Sequence, residues 1–229
     1  MTLKLLNALA VSLALAAPAL PSLAEGLNPL RESDYKSYHS LGCLLLEECT
    51  EGVQEITSVQ DLEDFYGVDY SEIATEGNKI FAELDRLGVK VWLSDSKYFP
   101  VNHRGAYYTV GNTFFLNKDF MDAPHHFISV MRHEGWPAAQ DCMAGSLDNT
   151  MIAVIHNEED IPFYWRDVAA RTYDHTSLPW EQEAIWAGHT ENMTVDALAA
   201  CEGPVPMWET YSPTPLTRQY LIDKGFINE

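Results

Sequence analysis

Positive charge is scarce in this sequence. Its 229 residues hold 14 Lys and Arg against 34 Asp and Glu, for a formal net charge of −20. So acidic a surface argues against nucleic acid or an anionic membrane as a partner. The acids are spread along the chain, which reads as a solubility adaptation to a salty medium before it reads as a site for a basic substrate. No phosphate-binding loop and no Gly-x-Ser-x-Gly elbow occurs, which removes two large enzyme classes. Internal repeats and low-complexity tracts are absent too. There is no Cys-x-x-Cys pair, so a zinc site made of the four cysteines has little support.

Long apolar runs are also missing. The longest starts at Leu5, after Lys4, and ends near Ala17; Pro18 and Pro21 follow, then Ser22-Leu23-Ala24. This pattern predicts a secretory signal peptide over residues 1–24, cut after Ala24. The alternative, an uncleaved anchor helix, needs a longer unbroken run. Removal leaves 229 less 24, or 205 residues, at a charge of −21 because only Lys4 is lost. That length suits one domain, 25–229, with a real core. The expected location is secreted or periplasmic, with no membrane contact after cleavage. An even cysteine count in an exported chain predicts two disulfides. Cys43–Cys49 is favoured by closeness in sequence, and Cys142–Cys201 is what remains. With all four bridged, a cysteine nucleophile is not expected.

The pattern along the chain predicts an α+β fold. Residues 25–40 read as a polar, extended lead-in, and 43–67 as short amphipathic pieces in which Cys49, Val53 and Ile56 share a helical face. Ile73, Gly77, Ile80, Phe81, Leu84 and Leu87 recur at helical spacing, and Gly88 ends that helix. Val89–Leu93 alternates as a strand. Ala106–Val110 and Thr113–Asn117 flank Gly111-Asn112 as a hairpin. Pro124 opens the next helix. Further helical stretches are expected over 148–158, 162–172, 178–189, 193–201 and 214–224, with a Pro-rich loop over 203–213. A small antiparallel sheet followed by a mainly helical C-terminal half results.

One stretch of the Pro124 helix carries chemistry: "RHEGWPAAQDC", residues 132–142. Histidines at i and i+4 of a helix point the same way, and a glutamate beside the first can act as base on a metal-bound water. Here His133 and Glu134 are followed by Pro137 where the second histidine would stand. Proline there deletes a ligand and the helical bond to the His133 carbonyl, at a cost of about 3 kcal/mol in a helix interior. A kink is therefore expected. Downstream, "PWEQEAIWAGH" sets Glu181 three residues before Ala184 and six before Ala187. That small-residue face lets a second helix pack closely and aim a carboxylate inward.

The order of "TVGNTFFLN", "HEGWPAAQDC" and "EQEAIWA" resembles the zincin-like metallopeptidases of the gluzincin type, over roughly Asp69 to His189. The resemblance implies zinc as cofactor and a peptide or protein substrate. It makes His133 the first ligand, Glu134 the general base, Gln140 the supporting glutamine and Glu181 the third ligand, with Glu183 as fallback. Pro137 departs at the second ligand and Ile185 at the acidic position after the alanine. His126 stands two turns before His133, too far along the axis to share one ion comfortably, and His125 is expected to face elsewhere. His156, His175, His189 and Asp141 are replacements only if folding brings them near. Two expectations stay open: a zinc-dependent peptidase or hydrolase scaffold with impaired or lost metal binding, and a catalytically inactive, disulfide-stabilised binding or structural domain without metal. The sequence leaves the oligomeric state undefined.

Overall fold

The computed structural model describes residues 11–15, 32–147 and 150–228. The expected cleavage site at Ala24 and the lead-in before Glu32 lie outside the described residues, as do positions 148 and 149. In chain order the strands are β1 (Val11–Leu15), β2 (Val53–Glu55), β3 (Lys90–Ser94), β4 (His103–Tyr108) and β5 (Thr113–Asn117). The α-helices are α1 (Glu32–Leu45), α2 (Val59–Tyr66), α3 (Ser71–Arg86), α4 (Pro124–Met143), α5 (Phe163–Thr172), α6 (Leu178–Gly188), α7 (Met193–Ala200), α8 (Met207–Thr210) and α9 (Pro215–Asp223). The fold is α+β with a helical C-terminal half, as the pattern predicts.

The sheet runs β1-β4-β5-β3-β2. It is mixed rather than purely antiparallel, because β3 and β5 pair in parallel, Trp92 opposite Phe115. The β4–β5 hairpin turns through Thr109–Asn112, with Asn112 at a φ of 48°. β1 pairs with β4 and falls inside the segment that reads as a leader. In a chain cut after Ala24, β4 becomes the sheet edge.

Successive side chains of a strand point to opposite faces, and β5 separates two cores that way. Phe114 and Leu116 join the large core of Ile80, Phe81, Leu84, Phe127 and Trp136. Phe115 faces Leu41, Leu44 and Leu45 of α1 on the other side. β5 is buried along its whole length, as a strand covered on both faces must be.

Several local expectations fail here, among them the loop over 203–213, which holds the short helix α8. The lead-in read as extended is helical from Glu32 and continues into α1, and Val53 lies on β2 rather than on a helical face. Residues 150–157 form an irregular strap, not a helix. Its Ile155 N–H and His156 N–H both donate to Glu183, so they are unavailable to a helical ladder. Both predicted disulfides are formed, Cys43–Cys49 and Cys142–Cys201. Among the described residues no helix is long and apolar enough to cross a membrane.

Candidate functional site

α4 begins at Pro124, where a missing N–H costs nothing, and runs unbroken through Pro137 to Met143. The turn around Pro137 is wholly buried, and that packing holds the helix together where propensity would break it. α6 lies across α4 because its contact face is small. A Cβ at Gly188 would stand 3.1 Å from the Ser129 carbonyl oxygen and 3.3 Å from His133 Cβ. Ala184 and Ala187 are buried beside it.

This close crossing brings the first and third predicted ligands together. His133 Nε2 lies 3.4 Å from Glu181 Oε2. The two residues are 6% and 4% exposed, and neither atom has a hydrogen-bond partner. Two donors about 2 Å from one tetrahedral ion stand about 3.3 Å apart, so the pair has the spacing of two zinc ligands. Glu134 is fully buried on the same turn and packs over β4. A Cβ at Gly105 would come within 2.8 Å of Glu134 Cγ, so glycine makes room for the carboxylate.

The remaining candidates divide. Gln140 does not support His133 or Glu134; its amide donates to Glu183 and to the Trp180 carbonyl. Glu183 cannot readily serve as a spare ligand, since its two oxygens accept from Trp136 Nε1, Gln140 Nε2, Ile155 N and His156 N. Asp141 accepts from the Tyr107 hydroxyl. His156 stacks on Trp136, and His175 is exposed. Arg132, next to His133, forks onto Glu76 of α3, and Glu76 also accepts the Asn192 N–H. This buried pair ties α3, α4 and the start of α7 together.

No protein-family model matches the chain, and no curated protein or solved structure matches it. His133 and Glu181 fit two positions of a zinc site. Among the described residues no cluster of three His, Cys, Asp or Glu could hold a metal, whereas catalytic zinc takes three protein ligands. Pro137 stands where the sequence pattern expects the second ligand. The donors among the described residues do not fit a three-ligand catalytic zinc.

The spacing of the sequence does not reveal what lies beside this pair. His125 and His126, expected to be remote, line one cleft together with His133 and His189. His189 reaches it from the end of α6, where its ring stacks on Trp165 and its Nδ1 meets the Ile185 carbonyl. Burial lowers the pKa of both His126 and His189. Four histidines meeting from two helices leave no local signature in a single chain. Only the α4–α6 crossing assembles them.

Proposed function

We propose that this chain is an exported zincin-like protein whose metal site has lost its second histidine, and which now acts by binding a peptide or protein ligand rather than by hydrolysing it. The observation that carries this reading is the buried His133–Glu181 pair at 3.4 Å, on two closely packed helices, with Pro137 one turn beyond His133. The pair supports the ancestry; the donor count supports the loss. Two disulfides fit an oxidising compartment. Glu134, the general base in the family arrangement, has on this reading no activated water to serve.

Metal analysis of the purified, oxidised protein and of Pro137→His tests the proposal. The wild type is expected to carry zinc well below one equivalent, and the variant to gain it. Stoichiometric zinc in the wild type would overturn the loss of function. A histidine variant that folds yet takes up no zinc would overturn the zincin assignment.

A further inference from the structure

The cleft beside His133 has a volume of about 370 Å³, within the range of small-molecule sites. Its chemistry is at odds with the rest of the molecule. In a chain with 34 acidic residues, none of the residues lining it is acidic, and it gathers four of the chain's eight histidines around Arg104. Arg104 is the decisive group. Among the described residues it makes no hydrogen bond and no ion pair, and its Nε is buried without a partner. Its guanidinium rests 5.6 Å from the centre of the Phe120 ring. A partly buried guanidinium normally finds a carboxylate, because desolvating it otherwise costs free energy; among the described residues Arg104 has none.

Two further features point into the same space. α4 starts there with no side-chain cap and no acidic residue in its first turn, so nothing within that turn offsets the positive end of a 20-residue helix dipole. His133, more than nine-tenths buried, lines the inner end of the cleft, its Nε2 3.4 Å from Glu181 Oε2. Ser129 adds a hydroxyl-bearing side chain to the lining, while the Thr172 hydroxyl is engaged with the Val168 carbonyl. Asp122 near His126 and Glu181 beside His133 lie close to the cleft without lining it.

We infer that this cleft binds a singly charged carboxylate, with Arg104 as its fork and His125, His126 and Ser129 lining the space around it. A single guanidinium matches one negative charge, and its planar donor pair matches a carboxylate's two oxygens. Burial holds His126 and His189 toward the neutral state, so they do not add the extra charge a dianion needs. The inference stands on the cleft alone: zinc in the wild-type protein would overturn the proposed function and leave it intact.

Calorimetric titration of the full chain with N-acetyl-dialanine, its C-terminal amide, butyrate and inorganic phosphate tests it. The free acid is expected to bind at least about tenfold more tightly than the amide, the effect of one charge-assisted bond pair. Arg104→Gln is expected to lose about the same factor while its near-ultraviolet circular dichroism is unchanged. Tighter binding of the peptide acid than of butyrate identifies a peptide C-terminus as the ligand, and the reverse a small organic acid. Equal binding of acid and amide, no binding of either carboxylate, or phosphate binding tightest would each overturn the proposal. So would a folded Arg104→Gln that binds the acid as well as the wild type does. Should that variant fail to fold, the acid–amide comparison on the wild type decides alone.

Discussion

Glu183 shows how much one side chain can organise. It is fully buried, pairs with no cation among the described residues, and accepts four N–H groups drawn from α4 and the 150–157 strap. Burial pushes its pKa from about 4.5 up to about 7, against the pull of those four donors. An acid whose pKa is raised by folding binds more protons folded than unfolded. Its stabilising contribution is complete below about pH 4.5 and is lost as the pH rises through about 7. His156, stacked on Trp136 close by, has its pKa lowered by burial and acts oppositely, with its contribution lost as the pH falls below its ordinary value. The whole protein's pH profile therefore mixes two slopes. Glu183→Gln removes only the first. Urea unfolding of both proteins should show the variant gaining roughly 3 kcal/mol relative to the wild type between about pH 4.5 and pH 7. Parallel profiles would mean that Glu183 titrates alike folded and unfolded.

At the scale of elements, the α4–α6 crossing makes the site. Neither helix alone carries a pair of donors; His133 and Glu181 meet because Gly188 lets the axes approach. Helix packing distance is set by the side chains at the contact, and a branched residue at that point must push α6 away from the Ser129 carbonyl. Gly188→Val should cost about 1–3 kcal/mol in thermal or denaturant unfolding. It should also shift the imidazole resonances of His133 and His189 in NMR spectra. A variant of unchanged stability and spectrum would show that the crossing has slack. This part of the site was half legible. Glu181 was visible because a carboxylate preceded alanines at helical spacing, and His133 because of its Glu neighbour. The strap at 150–157 was not, because its apolar residues fit a helix as well as a covered extended segment, and only Glu183, 28 residues beyond Ile155, decides between them. The parallel pairing of β3 with β5 was equally hidden, since strand order is a long-range property. The cleft was hidden for the same reason: it is lined from β4, α4, α5 and α6, each of which looks ordinary alone.

At the scale of the molecule, two covalent links reinforce a fold that carries a large excess of like charge. They are not equivalent. Cys43–Cys49 closes a separation of six residues at the end of α1, and Cys142–Cys201 closes 59, joining the end of α4 to the end of α7. In the chain-entropy account a crosslink stabilises by restricting the unfolded chain, by about 2 kcal/mol for the shorter loop and about 4 kcal/mol for the longer. The longer bridge also encloses the whole 150–157 strap, α5 and α6 within its loop, so the unfolded chain it restricts contains Glu181, Glu183 and His189. Both Cys142 and Cys201 are buried in the large core, and their replacement must keep that volume filled. Paired replacement by alanine at 142 and 201 should therefore lower stability more than paired replacement at 43 and 49, by about 2 kcal/mol or more, because the cavity adds to the lost crosslink. Self-repulsion among the acids is screened by salt. Raising the ionic strength should accordingly recover part of the loss in the 142/201 double variant, whose denatured ensemble is the one freed to expand. Guanidinium is unsuitable for this comparison because it is itself a salt; urea unfolding at low and high sodium chloride is the measurement. Equal losses for the two double variants would place the stabilisation in native-state packing rather than in the unfolded chain.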